Sequence, residues 1–465
     1  MKNLLILILT TIIVAISTNV FAQTNANSGI SSGPVYQPFL KQLADTVSAD
    51  RLEEDIRILA GFDNRHTMSD TTSDTHGIGA ARRWIKEEFE AISEECGGCL
   101  EVMYVSGEVG GENRIPDPVN IVNVVAVQRG TSDPDRVVMM SGDIDSRASD
   151  VMDAETDSPG ANDNASGMAG TIEAARVLSQ HEFPGTIVYA GLSGEEQGLF
   201  GGQILAEYAI DNDWRIKAVL NNDMIGNIEG INGVINNTTA RVFSEGTRAN
   251  ETEREGNIRR FTGGEVDSPS RNLARYIHTM GHHYIDNLDV MMIYRLDRFG
   301  RGGHHRPFND VGFPAVRVME TNEHYDRQHQ DIRVEDGIEY GDVIEGVDFD
   351  YAAKLTALNI VSLAGMAKAP NPPVNVEISG AVRPSTTLSW DALNHGQNPQ
   401  LEGYKVYWRL TTSPVWTNAR PAGNGTEFTL ENIVIDNYYF GVSSVSEDGY
   451  ESPVVFPGPN GSFGE

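Results

Sequence analysis

The 465-residue sequence contains only two cysteines, few basic residues and no long apolar run beyond its N-terminus. Its 35 Lys and Arg residues face 66 Asp and Glu residues, which gives a net charge of −31. Such a charge repels phosphate backbones and no basic run interrupts it, so we expect no nucleic-acid partner. No later segment approaches the roughly 20 apolar residues of a membrane span, which predicts no transmembrane segment. With 40% hydrophobic residues, the chain is too apolar to be disordered and too long for one ordinary domain.

Residues 1–22 have the pattern of a secretory signal peptide. Lys2 supplies one positive charge, residues 4–16 form a short apolar run, and the segment ends on Val20-Phe21-Ala22. The run is too short to cross a bilayer as a helix. We therefore predict export, with a periplasmic, cell-surface or extracellular location.

The two cysteines, Cys96 and Cys99, are separated by two glycines. In an exported chain this spacing favours a disulfide over a metal site, which would need two more soft ligands. A thioredoxin-like redox motif needs a strand before the pair and a helix after it. Here a helical pattern precedes the pair and an alternating segment follows, so we predict a structural disulfide.

Helical and strand patterns alternate through the region from 47 to 368, which we predict to be one domain after a flexible segment over 23–46. Alternation of this kind predicts an α/β fold, with a mainly parallel sheet sandwiched by helices. Residues 236–266 are polar and are interpreted as an insertion. Strands are expected at 119–127, 137–140, 186–190, 218–221 and 315–319, and helices at 52–59, 78–92, 166–178, 199–210, from near 268, and at 351–367.

A proline-rich break over 369–373 separates this region from a C-terminal segment of short strands and turns. Such a pattern over residues 372–465 predicts an all-β sandwich. Its Leu388-Ser389-Trp390 run and its tyrosine-rich strands, 403–408 and 438–442, resemble a fibronectin type III domain. We expect this domain to bind a surface, a polymer or a partner, or to pack on the first domain.

Four acidic clusters follow predicted strands or begin predicted helices, at residues 141–146, 160–167, 193–198 and 221–224. A fifth cluster, 323–331, follows a predicted strand and adds an imidazole. Groups at the carboxyl ends of strands in an open α/β sheet converge on one crevice. Because converging carboxylates repel one another unless a cation compensates them, the clusters predict a metal site.

The order of these clusters resembles the zinc exopeptidase family that includes bacterial leucyl aminopeptidase and aminopeptidase Y. The resemblance extends from about residue 50 to residue 367. It implies a metallopeptidase domain over 47–368, peptide substrates and two divalent metal ions, which are zinc in the family. The residues that carry it are the run 160–167, the Glu195-Glu196 pair, Asp223-Met224, Pro307-Phe308 and the run 312–316.

Five positions of this sequence match functional residues of the family. Asp163 matches the carboxylate that bridges the two zinc ions. Glu196 and His329 match the remaining ligands of one ion, and Asp223 matches a ligand of the other. Glu195 matches the general base, which takes a proton from water and delivers it to the leaving amine.

The first departure from the family pattern lies at Asp143, where the family has a histidine ligand. An Asp oxygen is able to ligate zinc, so Asp143 stays a predicted ligand. The extra carboxylate also makes the harder ions Mn²⁺ or Mg²⁺ alternatives to zinc. Asp145, which orients that histidine in the family, loses its imidazole partner and becomes a candidate ligand or supporting residue.

The second departure lies at His304, where relatives commonly have an aspartate. One interpretation is that His304 compensates for the missing histidine ligand while His305 lines the substrate site. The alternative is a solvated loop with no role in the chemistry.

Taken together, the sequence predicts an exported, metal-dependent aminopeptidase that hydrolyses the first peptide bond of peptides. Two alternatives stay open within enzymes, because the same scaffold serves carboxypeptidases and, with one zinc ion, glutaminyl cyclases. A third alternative is a non-catalytic protein that binds peptides or surfaces, because Asp143 replaces the usual histidine.

Overall fold

The computed structural model describes Gly33, residues 35–393, Asn398 and residues 400–464. The predicted signal peptide lies outside these residues, as do residues 23–32. Within the described part of the chain, no helix is both long and apolar enough to cross a bilayer. Cys96 and Cys99 form a disulfide between the end of a helix and the start of a strand.

One eight-stranded sheet organises the N-terminal region. Its inner strands β4, β3, β5 and β8 are mutually parallel, and the strand order is β1-β2-β4-β3-β5-β8-β6-β7. Strands β1 and β2 continue it with antiparallel pairing, and β6 pairs antiparallel with β8. The strands are β1 (Leu100–Val109), β2 (Val119–Gln128), β3 (Asp133–Asp143), β4 (Gly185–Leu192), β5 (Arg215–Asn222), β6 (Thr239–Phe243), β7 (Asp289–Ile293) and β8 (Ala315–Glu320).

Helices cover both faces of this sheet. Along β2, Val124 and Ala126 belong to one hydrophobic core and Val125 and Val127 to another, as the two-residue period of a strand requires. Every residue of β4 is buried, which is typical of a strand covered on both faces. The helices are α1 (Pro38–Thr46), α2 (Ala49–Ala60), α3 (Gly77–Glu95), α4 (Gly167–Leu178), α5 (Glu195–Gly198), α6 (Phe200–Asp211), α7 (Glu253–Thr262), α8 (Pro269–Tyr284), α9 (His305–Asp310) and α10 (Phe349–Lys368).

Two segments differ from the sequence prediction. Residues 38–46, predicted to be flexible, form α1, because Leu40 and Leu43 are buried in the larger core. The polar segment 236–266 is not only an insertion, because it supplies β6 and α7. Strand β6 is short, so its apolar residues are too few to stand out in the sequence.

The C-terminal region is all-β, as predicted. It consists of two three-stranded antiparallel sheets, with strand orders β11-β12-β15 and β14-β13-β16. Trp390, Tyr404 and Phe440 lie in its core. The predicted fold class, mixed α/β followed by antiparallel sheets, is confirmed. Two short strands, β9 (Arg333–Glu335) and β10 (Ile338–Tyr340), form a separate hairpin, and the C-terminal strands are β11 (Val374–Ser379), β12 (Thr386–Asp391), β13 (Leu401–Leu410), β14 (Asn418–Gly423), β15 (Glu427–Leu430) and β16 (Tyr438–Ser446).

A buried ion-pair cluster joins the C-terminal sheets to the N-terminal region. Asp267, immediately before α8, accepts two hydrogen bonds from Arg409 of β13, at 2.7 and 2.8 Å. Arg275 of α8 donates to the same carboxylate at 2.9 Å and to the carbonyl of Pro414 at 2.7 Å. Because Asp267 and Arg409 are almost completely buried, the two regions share a charged contact that water does not screen.

We expect Asp267→Ala to destabilise the protein by about 3–5 kcal/mol, because it leaves Arg275 and Arg409 buried without their counter-charge. Chemical denaturation followed by circular dichroism measures this change. The matched control is Glu101→Ala, which breaks the exposed Arg129–Glu101 pair and should cost less than about 1 kcal/mol. Equal effects of the two variants would contradict the role given to Asp267.

Candidate metal centre

The parallel strands bring the predicted acidic residues to one edge of the sheet. Asp143 is the last residue of β3, Glu195 begins α5 just after β4, and Asp223 directly follows β5. Gly194, with φ of 77°, allows the sharp turn between β4 and α5. The carboxyl ends of these strands therefore form one acidic crevice.

Three of the predicted ligands meet in this crevice. Nε2 of His329 lies 3.0 Å from Oδ2 of Asp163 and 3.0 Å from Oε1 of Glu196. The ligand atoms of these three residues all lie within 4.8 Å of one another. Among the described residues, this is the one group of three such side chains. We call Asp163, Glu196 and His329 the ligand triad.

Neighbouring groups hold the triad in place. The carboxylate of Asp342 accepts hydrogen bonds from the backbone amides of Asn162 at 2.9 Å and Asp163 at 2.6 Å. Gln328 donates to Oδ2 of Asp163 at 3.0 Å. These contacts orient the Asp163 carboxylate before any cation binds, which is the usual role of groups around a metal ligand.

The electrostatics of the triad favour a cation at its centre. Burial opposes ionisation of Asp163, but His329 holds the pKa of Asp163 well below its usual range. Burial also opposes protonation of His329, but the Glu196 and Asp163 carboxylates raise the pKa of His329 to about 10. A proton therefore supplies the positive charge, and a metal ion has to displace it in order to bind.

The residues present fit a divalent metal such as zinc. Carboxylate oxygens and an imidazole nitrogen are ligands that zinc accepts, and three protein ligands leave a further position open, as in catalytic zinc sites. Burial raises the pKa of Glu195 well above its usual value, and Glu196 and Asp223 add to that rise. This crowding of carboxylates is relieved by a bound cation.

Asp145 supports the triad and is not part of it. Its carboxylate accepts from the backbone amides of Glu195 at 3.2 Å and Glu196 at 3.1 Å, and from the Thr67 hydroxyl at 3.1 Å. Burial raises the pKa of Asp145 to about 6, while His304 lowers it. Asp145 therefore positions the first turn of α5, which favours the supporting role over that of a ligand.

The two departures from the family pattern contact each other. Nδ1 of His304 lies 2.5 Å from Oδ1 of Asp143, whose Oδ2 accepts from Asn164 at 2.7 Å. Burial lowers the pKa of His304 to about 4, which favours the neutral imidazole, and its Nδ1 shares a hydrogen bond with Oδ1 of Asp143. Neither residue belongs to the triad, and the roles of Asp143 as a ligand and of His304 as a replacement ligand stay predictions. Both are buried, which excludes the solvated-loop interpretation.

Asp223 is also separate from the triad. Its Oδ2 forms an ion pair with Nη2 of Arg317, a residue of β8, at 2.7 Å. Burial raises the pKa of Asp223 to about 8, and Arg317 opposes this rise. The predicted ligand Asp223 thus has a protein cation as its partner.

His305 does not line the substrate site, contrary to the sequence prediction. It is fully buried, and its Nε2 lies 2.8 Å from the carbonyl oxygen of Leu296. The ring of His305 is buried at the start of α9, whereas the neighbouring Arg306 lines the cavity.

A cavity of about 640 Å³ opens beside the triad. Glu195 lies on its wall next to Asp163, Glu196 and His329, together with Asp223. Five arginines also line it, which the acidic composition does not suggest. These are Arg114, Arg147, Arg298, Arg301 and Arg306.

Sequence reasoning missed these arginines and Arg317. A local signal exists for three of them, because the glycine-rich segment 298–306 contains Arg298, Arg301 and Arg306 in an otherwise acidic chain. No local signal exists for Arg317. It lies within an apolar strand pattern, where one basic residue is easily read as a solvent-facing position.

Comparisons with known proteins show which family this chain belongs to. The sequence profile of peptidase family M28 matches residues 123–337. The chain is 40% identical over 427 residues to a probable zinc metalloprotease of Leptosphaeria maculans, covering 92% of this chain and 98% of that protein. A probable zinc metalloprotease of Pyricularia oryzae is 40% identical over 454 residues, with coverage of 95% and 90%. The LapA aminopeptidase of Legionella pneumophila has a similar fold, with a TM-score of 0.52 at 20% identity over 74% of this chain and 79% of that chain.

Loss of a group that supports a metal ligand lowers metal affinity by roughly 10- to 100-fold. We expect His329→Ala to weaken zinc binding by more than this, because it removes one of the three ligands themselves. Zinc titration of the metal-free protein by calorimetry measures the change. His324→Ala is the matched control, because His324 lies on the same loop but has no atom in the triad. Zinc affinity that is equal in the two variants would exclude the triad as the zinc site.

Proposed function

Because the chain belongs to peptidase family M28 and is closely similar to zinc metalloproteases, we propose that it is an exported zinc aminopeptidase, which removes the N-terminal residue of peptides. The proposal depends mainly on the position of Glu195, which lines the cavity beside the ligand triad. It is adjacent to a ligand in sequence but is not itself a member of the triad.

Glu195 has the properties of a general base. It lines the cavity of about 640 Å³ beside the triad, and burial, with Glu196 nearby, raises its pKa. A carboxylate of raised pKa is well suited to take a proton from water and pass it to the leaving amine. Asp145 holds the backbone of Glu195 and Glu196 through two amide hydrogen bonds, so the base and the ligand are oriented together. Asp163, Glu196 and His329 would hold a zinc ion, which would supply Lewis-acid polarisation of the scissile carbonyl and lower the pKa of water.

Recognition of a peptide N-terminus is supported by the carboxylates on the cavity wall. A free α-amino group is cationic, and it pairs favourably with a buried carboxylate. The similar fold of the LapA aminopeptidase is consistent with this substrate class.

Export and the role of the C-terminal region are part of the same proposal. The signal-peptide pattern of residues 1–22 and the disulfide between Cys96 and Cys99 both suit an oxidising compartment. We propose that residues 372–465 form a fibronectin type III-like domain that stabilises the catalytic domain. The buried contact between Asp267 and Arg409 supports packing over a freely tethered surface adaptor.

We expect Glu195→Gln to lower kcat by about 10²- to 10⁴-fold while leaving zinc bound, because the amide accepts no proton from water. Turnover of an aminoacyl p-nitroanilide and zinc content are measured on the same preparation. Glu207→Gln, an exposed substitution on α6, is the control and should change neither value. Near-normal turnover of Glu195→Gln would remove Glu195 from the mechanism.

A carboxypeptidase is the second candidate, and the arginine-lined wall favours it. Arg306 has no carboxylate within ion-pair distance among the described residues, and its Nε is buried without a hydrogen-bond partner. Such a group is suited to bind a substrate carboxylate. The same arginines are compatible with an aminopeptidase that prefers acidic side chains or short peptides.

End-blocked peptides separate the two candidates. For an aminopeptidase, we expect N-acetylation of a tetrapeptide to abolish its hydrolysis, because the enzyme requires the free amine. C-terminal amidation should leave the rate of hydrolysis unchanged. The products are followed by mass spectrometry. The reverse pattern would identify a carboxypeptidase, and no hydrolysis of any form by zinc-loaded protein would favour a cyclase or a binding protein.

A further inference from the structure

Asp143 and Asp223, the two predicted ligands outside the triad, already have protein partners. Both oxygens of Asp143 are engaged, one by His304 and one by Asn164. Oδ2 of Asp223 is engaged by Arg317. These two aspartates are the residues that the family resemblance assigns, with Asp163, to a second metal ion. The Asp143 carboxylate is therefore fully engaged, and one oxygen of the Asp223 carboxylate is engaged, before any second ion binds.

Arg317 is held rigidly at this position. Its Nε and Nη2 donate to the backbone carbonyl of Asp223 at 3.2 and 3.0 Å, in addition to the side-chain contact at 2.7 Å. Its Nη1 donates to the carbonyl of Gly302 at 2.7 Å and lies 3.2 Å from both oxygens of Asp297. Every nitrogen of the guanidinium thus has a partner, and the side chain is completely buried.

A buried guanidinium in this place has a different effect from a metal ion. It does not lose its proton in proteins, so it carries a permanent positive charge. A second divalent ion at Asp223 would have to displace part of this contact and lie close to that charge. Asp297, which Arg298 also contacts, pairs with the same guanidinium, so displacement would also disturb a second buried ion pair.

We propose that this chain binds a single zinc ion, at Asp163, Glu196 and His329, and that the Arg317 guanidinium supplies the positive charge at Asp223 in place of a second ion. The inference rests on the proposed function, because it takes the triad as the zinc site. Arg317 is too deeply buried to touch a substrate, so it acts through Asp223 as a positioning residue. The two ions that the family resemblance predicts are thereby reduced to one.

The test is a count of zinc ions in the full-length mature protein. Metal-free protein is titrated with zinc chloride by calorimetry, and the loaded protein is freed of excess zinc and analysed by mass spectrometry for metal content. We expect one ion per chain. Two ions per chain would overturn the inference and leave the proposed peptidase intact, whereas no bound zinc would overturn the triad as the metal site of the proposed function.

Variants at Arg317 test its role directly. Arg317→Met removes the charge at similar length, and we expect the zinc count to rise from one to two. Arg317→Lys keeps a cation and should retain one ion. A count of one in a folded Arg317→Met protein would show that Arg317 is not what excludes the second ion, and would overturn its assigned role.

A second pair of variants covers the case in which Arg317→Met does not fold. Asp163→Asn and Asp223→Asn are matched, because each replaces a buried carboxylate by an amide of the same shape. We expect Asp163→Asn to lose zinc and Asp223→Asn to keep the wild-type count and affinity. Loss of an ion in Asp223→Asn would make Asp223 a ligand and overturn the inference.

Discussion

Buried negative charge at the carboxyl edge of the parallel strands is the constraint on which the rest of this structure depends. Asp143, Asp145, Glu196 and Asp223 are each almost inaccessible to solvent, and desolvation makes an isolated buried carboxylate unfavourable. Their clustering is useful for binding a cation, but it is tolerated only if each one has a compensating partner. The architecture around the crevice supplies these partners one by one.

The compensation comes from three different kinds of group. Asp145 is satisfied by backbone amides at the start of α5, which bear the partial positive charge of a helix N-terminus. Asp223 is satisfied by a buried guanidinium. Asp163 and Glu196 share the His329 imidazole, whose proton a metal ion is able to replace. The kind of partner therefore distinguishes the carboxylates that are able to bind a metal ion, Asp163 and Glu196, from Asp223, whose positive partner is a fixed part of the protein.

The wider fold keeps these partners in register. Two cores fix the sheet from both faces, so the strand ends cannot move independently. Arg317 reaches Asp223 because β5 and β8 are adjacent and parallel. The C-terminal sheets lock onto α8 through Asp267, next to the region that supplies β6 and β7. The acidic crevice is thus supported by contacts that extend well beyond its own residues.

The sequence by itself determined the fold class, most element positions and the segments that carry the acidic residues. Helical and strand periods, the placement of Glu195 and His329 after strand patterns and that of Asp163 before a helical pattern are properties of neighbouring residues and can be read locally. It did not determine which of the other carboxylates have a protein partner in place of a cation. That choice depends on contacts such as His304 with Asp143 and Arg317 with Asp223, between residues far apart in the chain. Only the packed sheet decides these pairings, because a side chain's partner is set by the direction in which its strand presents it and by what lies opposite in space.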